Sequence, residues 1–175
     1  PHAPPDGGRP GGLGFGIGGP DELLGHDQVR EFIGSSLAAA DLDGRSVCVL
    51  VPDGTRTCPL PQLLSAVHGA LHGRASRITV VVALGTHAAL SDQARATLLG
   101  HAVGDRSATY PGVEVIDHEW WDASTFADLG TIDRERIAEL SGGRLHHDAP
   151  VRVNRHVVDH DVTLVVGPVF PHEVV

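Results

Sequence analysis

The chain has 175 residues, enough for one domain of ordinary size with a real core. Hydrophobic residues make up 41% and charged residues 20%, the balance of a globular protein, while aromatics at 4% leave the interior to aliphatic side chains. A formal net charge of −9 argues against binding a phosphate backbone, which needs clustered cations, so nucleic acid is not an expected partner.

Every one of the 13 basic residues is an arginine, so any chemistry that needs an amine must come from elsewhere. Cys48, inside an apolar run, and Cys58, in a turn, form neither a disulfide framework nor a CxxC metal spacing, which suits a reducing compartment. No apolar stretch approaches the roughly 20 residues of a membrane helix, and no basic-then-apolar leader opens the chain. The expected location is the cytoplasm, with no membrane partner. The chain opens without methionine and ends at Val175 just after a promising motif, and it is read as the front piece of a longer protein.

Residues 1–20, dominated by Gly and Pro, read as a flexible lead-in, and residues 21–175 as the folded domain. The alternating Gly12, Gly14, Gly16 and Gly18 resemble a dinucleotide loop only superficially, because no strand precedes them and Pro20 follows. Val29, Phe32, Ile33 and Leu37 fall at helical spacing with Asp27 as N-cap, predicting a helix over 27–40 that ends by Asp43-Gly44. Val47 to Val51 is a β-branched apolar run, as expected of a strand buried on both faces. After the loop 52–59, the stripe Leu60, Leu63, Leu64, Val67 and Leu71 predicts a helix closed by Gly73.

The order then repeats. Ile78 to Ala83 reads as a second buried strand, Leu84-Gly85-Thr86-His87 as a turn, and Ser91 as the cap of a helix to Leu99. Val113 to Ile116 is a third strand, followed by a short helix near 133–140 and a turn at Gly142-Gly143. Val151 to Val158 and Val162 to Val166 read as further strands. Strand and helix alternating in this way predict an α/β fold, a Rossmann-like, mostly parallel sheet flanked by helices.

In such a sheet ligands bind beyond the carboxyl ends of the strands, so the residues just after each strand carry the interest. These are Asp53, Thr55 and Arg56, then Gly85, Thr86 and His87, then Gly167, Pro168, Pro171 and His172. Arg56 can grip a carboxylate or phosphate through paired charge-assisted hydrogen bonds, at a loop that opens a helix. Taken alone, Arg56 serves equally as a solvated surface arginine, and Asp53 reads first as a turn or cap residue. His87 and His172 are candidate proton acceptors and donors, though among 12 histidines either one, judged singly, also reads as structural or exposed.

A second grouping, His146, His147, His156 and His160 with Asp148 and Asp159, matches no metal-ligand spacing and reads as solvated side chains. Trp120 and Trp121 read as a core or interface anchor rather than a cofactor platform.

Taken in order, Asp53-Gly54-Thr55-Arg56-Thr57-Cys58-Pro59 resembles the D-x-T-R-x-x-P signature of the nickel-dependent lactate racemase family, N-terminal domain. Gly85-Thr86-His87 resembles its G-T-H motif, and Val153-Asn154-Arg155 through Gly167 to His172 resembles its asparagine strand and G-x-x-x-P-H turn. The resemblance implies a racemase or epimerase of 2-hydroxy acids that uses a nickel pincer nucleotide held between two domains. Its pyridinium ring takes a hydride from the α-carbon while a histidine takes the hydroxyl proton. By the same resemblance His87 and His172 are the catalytic acid/bases, Arg56 binds the substrate carboxylate, and Asp53, Thr55, Gly85 and Thr86 support the cofactor. No metal ligand is implied within this chain.

In that family a glycine-rich G-F-S-G-G segment with a cofactor-tethering lysine follows the P-H turn, and a nickel-binding histidine lies further on. The resemblance therefore implies its own C-terminal domain and cofactor-building proteins as partners, and an inactive fragment without covalently bound cofactor. A different reading of the same residues is a non-catalytic α/β module whose Arg56 loop binds a nucleotide or anionic metabolite. A metal-dependent hydrolase would need ligands that the histidine spacings do not supply.

Overall fold

The computed structural model describes residues 16–169. Four strands, β1 (Ser46–Pro52), β2 (Arg77–Ala83), β3 (Val113–Asp117) and β6 (Val162–Val165), form one parallel sheet in the order β3-β2-β1-β6. β4 (Phe126–Ile132) and β5 (Ala149–Asn154) form a separate antiparallel pair. The helices are α1 (His26–Ala38), α2 (Leu60–Leu71), α3 (Asp92–Leu99), α4 (Arg106–Thr109), α5 (Arg134–Leu140) and α6 (Arg155–Val158).

The sheet forms where the sequence is continuously apolar and β-branched, because such strands bury both faces. In register, Val47, Val49 and Val51 stand beside Ile78, Val80 and Val82, and this row packs with Leu60, Leu64, Val67 and Leu71 of α2, with Ile33 and Leu37 of α1 against it. The opposite face carries Cys48, Thr79 and Val81, also buried. Both cysteines are free, and burial pushes the Cys48 thiol up to about 11, leaving it a small apolar group rather than a nucleophile.

Helix ends follow local chemistry. The Ser91 hydroxyl accepts from the Ala94 N–H at 3.1 Å, capping α3 as the sequence predicts. Its other end requires Gly100 at φ +78°, where an added Cβ would lie 2.5 Å from Pro61 Cβ at the start of α2. At the amino end of the sheet, Asp161 Oδ2 accepts from the Ser46 N–H (2.8 Å) and hydroxyl (2.7 Å), while the Asp161 N–H donates to Ser46 Oγ (3.0 Å). This clasp joins the first residue of β1 to the entry of β6.

Four expectations are corrected. Asp27 is not the cap of α1: Gly25 precedes the helix, its N–H donates to Gln28 Oε1, and Asp27 pairs with Arg30 in the first turn. The strand predicted over 151–158 stops at Asn154, whose side-chain oxygen accepts from the His156 N–H and turns the chain into α6. Of the two places expected for Trp120 and Trp121, core or interface, the core is excluded, since they are 43% and 48% exposed. His160 is not solvated: it is buried, with Nδ1 2.7 Å from the His156 carbonyl oxygen and Nε2 3.0 Å from Thr79 Oγ1. Residues 1–15 of the Gly/Pro-rich segment lie outside the described residues, as do 170–175. No helix among the described residues is long and apolar enough to cross a membrane.

Candidate active site

Asp53 follows the last residue of β1, and its carboxylate is spoken for on both oxygens. Oδ1 accepts from the Thr55 N–H at 3.1 Å and from the Thr55 hydroxyl at 2.6 Å, a local turn that short acidic residues favour. Oδ2 lies 2.5 Å from Nδ1 of His87, which stands beyond the neighbouring strand β2. A carboxylate only accepts, so Nδ1 carries the proton and Nε2 is left as the open acceptor of the ring.

The two partners differ sharply in exposure: the Asp53 side chain is 8% exposed and that of His87 58%. Burial pushes the Asp53 carboxyl upward, yet the hydrogen bonds from Thr55 and His87 together outweigh it and hold the group below its ordinary value. Asp53 therefore stays charged at neutral pH. The result is a buried, fixed anion behind an exposed imidazole, the arrangement that orients a histidine.

His87 reaches this position through a tight turn. The Leu84 N–H donates to the Val82 carbonyl and the His87 N–H to the Leu84 carbonyl, both at 3.0 Å, with Gly85 at φ +60° between them. That left-handed conformation is why glycine occupies position 85.

A cleft of about 380 Å³ opens at this rim, between the ends of β1, β2 and β6. Apolar residues such as Leu50, Val51, Leu84, Val165 and Val166 line it together with Asp53, Thr55, Arg56, Gly85 and His87, and Gly167 and Pro168 after β6 complete the rim. The site lies where β1 passes to β2 on one side and receives β6 on the other, the crevice expected of an open parallel sheet.

Thus Asp53, Thr55, Arg56, Gly85 and His87 come together as the sequence predicts, whereas Thr86 is exposed and does not line the cleft. His172 lies outside the described residues. Asn154 stands apart from the cleft, with Nδ2 3.1 Å from Nδ1 of His118. Among the described residues no group of three or more His, Cys, Asp or Glu is arranged to hold a metal ion.

Sequence reasoning missed the neighbours that hold the His87 loop. The Trp120 indole N–H donates to the His87 carbonyl oxygen at 2.9 Å. Asp117, nearly buried, accepts from the Leu90 N–H at 3.0 Å and pairs with Arg95 at 2.9 Å. Their only signal in the sequence is position, shortly after the end of the strand predicted over Val113 to Ile116.

Fold and site define a Rossmann-like α/β domain with a cleft at the strand ends and an aspartate–histidine pair on its wall. The chain belongs to the lactate racemase N-terminal domain family, whose model matches residues 27–175. A crystal structure of a Thermotoga maritima protein shares the fold with a TM-score of 0.66 at 21% identity, over 81% of this chain. The match covers 33% of that protein's chain, so this chain spans about a third of its length. No curated protein matches.

Proposed function

We propose that this chain is the catalytic-histidine domain of a racemase or epimerase of 2-hydroxy acids that works with a nickel pincer nucleotide. The observation that supports it most directly is the Asp53–His87 pair on the cleft wall of a lactate racemase-family domain. Inverting the α-carbon of a 2-hydroxy acid through the keto acid requires the α-hydrogen to leave as hydride and the hydroxyl hydrogen as a proton. Both must then return.

His87 supplies the proton path. Nε2 accepts the hydroxyl proton, the Asp53 carboxylate stabilises the imidazolium so formed, and the proton goes back when the keto acid is reduced. Thr55 keeps Asp53 from turning toward the substrate. Arg56, on the same rim, binds the substrate carboxylate, for which a planar guanidinium is well matched. His172 is proposed as the second acid/base, serving the opposite stereoisomer.

The nickel pincer nucleotide, when bound, supplies the hydride acceptor. The cleft fits the organic part of such a group: its size is that of a small-molecule site, and apolar strand ends end in a few polar groups. Asp53, Thr55 and Gly85, which line the cleft, would hold it; Thr86 lies exposed outside the lining. By the family resemblance this domain would hold the nucleotide, while the nickel-binding histidine lies further along the chain. The reading implies a second domain over the cleft, proteins that build the cofactor, and a cytoplasmic setting.

The test uses the intact protein produced with its cofactor-building partners, measuring bound nickel and stereochemical scrambling across a panel of 2-hydroxy acids. Stoichiometric nickel, with scrambling in wild type and none in His87→Ala, supports the proposal. Neither nickel nor scrambling in wild type overturns it and leaves a binding module.

A further inference from the structure

We propose that Trp120 is a positioning residue for His87, gripping its backbone from the adjacent strand-end segment so that the imidazole keeps its bond to Asp53. The inference rests on the acid/base role proposed for His87.

The loop from Leu84 to Ser91 is poorly held from within. After the turn that ends at His87, its ties come from the end of β3 and the segment after it, with Arg95 Nη2 also 3.5 Å from the Leu90 carbonyl oxygen. The Trp120 indole N–H meets the His87 carbonyl, and three residues on, the Leu90 N–H meets Asp117, which Arg95 holds in place. Asp117 anchors the far end of the loop, and Trp120 is the contact at His87 itself.

The contact belongs to a closed circuit. The Trp120 N–H donates to the His118 carbonyl at 2.9 Å, and the His118 N–H donates to the Val82 carbonyl at 3.0 Å. Val82 also receives the Leu84 N–H that starts the turn to His87. The path from Val82 through the loop to His87, across to Trp120, and back through His118 to Val82 is therefore continuous. Displacing the His87 backbone breaks a bond of that circuit.

Burial does not explain Trp120. It is 43% exposed, with the Trp121 ring edge-on at 5.8 Å, and an indole has one N–H donor. That donor goes to the backbone of the candidate catalytic residue. The His87 side chain, 58% exposed, has little packing to fix it, so the accuracy of its placement comes from the backbone beneath it and from Asp53. A misplacement on the order of 1 Å in such a group can cost roughly a hundredfold in rate.

Trp120→Phe removes the donor and keeps most of the ring; Trp121→Phe is the control. In the intact, nickel-loaded protein, Trp120→Phe should lower kcat about tenfold with KM changed less than about twofold. Carbon-detected NMR of the Asp53 carboxyl should show its titration midpoint rising in Trp120→Phe, because the His87 bond that helps hold it low is loosened. Trp121→Phe should change neither quantity. An Asp53 midpoint that stays at the wild-type value in Trp120→Phe overturns the positioning role whatever the turnover. A wild-type protein that loads nickel but shows no scrambling, while Asp53 still moves in Trp120→Phe, refutes the role given to His87 and leaves the contact standing.

Discussion

The Asp53 carboxylate and the His87 imidazole, 34 residues apart in sequence, meet at 2.5 Å because β1 and β2 are parallel neighbours whose carboxyl ends are level. Pro52 pairs with Ala83 at the last rung, so one residue beyond β1 and a four-residue turn beyond β2 reach the same point.

This pairing gives the first prediction. His87→Ala should reduce turnover by roughly 10²–10⁴-fold, the usual worth of a positioned acid/base. Asp53→Asn should also lose activity while leaving substrate affinity nearly intact, since Asn cannot stabilise an imidazolium as a carboxylate does. Steady-state kinetics across pH separates the two; an Asp53→Asn enzyme of wild-type kcat would remove Asp53 from the mechanism.

Arg56→Lys keeps the charge but loses the two-pronged geometry. If Arg56 binds the substrate carboxylate, KM should rise about tenfold or more, whereas a solvated surface arginine would tolerate the change.

His160 predicts a dependence of stability on pH. Burial is the main cause holding its imidazole below the ordinary histidine value, with the His156 carbonyl contact opposing it. With Nδ1–H donated to His156, the neutral ring accepts the Thr79 hydroxyl proton at Nε2, a proton that Glu114, 3.3 Å from the same oxygen, also attracts. Because the folded value lies below the unfolded one, about 6.5, the unfolded chain binds more protons as pH falls. The contribution is therefore present above about pH 6.5 and fades as pH drops through the lowered folded value. Urea unfolding of wild type and His160→Gln should show a larger stability gap at pH 7.5 than at pH 5.5; an equal gap at both would contradict this.

Gly100→Ala should destabilise by about 2–4 kcal/mol, combining a left-handed backbone with a methyl forced onto Pro61. Ser91→Ala, at the other end of α3, should cost only about 1 kcal/mol, the ordinary value of a lost cap. Denaturant midpoints for the pair test the contrast, and comparable losses would mean that the α3–α2 contact relaxes freely.

What the sequence showed clearly were the elements with one unambiguous pattern. β1, β2 and α2 carry long apolar runs or stripes, and their bounds fall within a residue of expectation. β4 was missed because Phe126–Ile132 is mostly exposed, is interrupted by an irregularity between Asp128 and Gly130, and pairs with residues 149–154 rather than with the main sheet. Val157 and Val158 misled in the other direction: their β-branched character favours a strand, but the Asn154 cap prevails over four residues. Motif positions placed Asp53, Arg56 and His87 on one rim. Their mutual contact, and the hold of Trp120 on the loop, required knowing which strands adjoin and how the segment after β3 folds back.

The clasp between Ser46 and Asp161 has a consequence at the far end of the molecule. Among the described residues β6 pairs with β1 alone, over four rungs, and the clasp adds a side-chain lock where β6 enters. A slip of one residue there would carry Gly167 and Pro168 about 3.3 Å along the strand axis relative to Asp53 and turn the apolar wall inside out. The width of the cleft is thus gauged in part from the opposite end of the sheet, as a vernier is read from its zero mark.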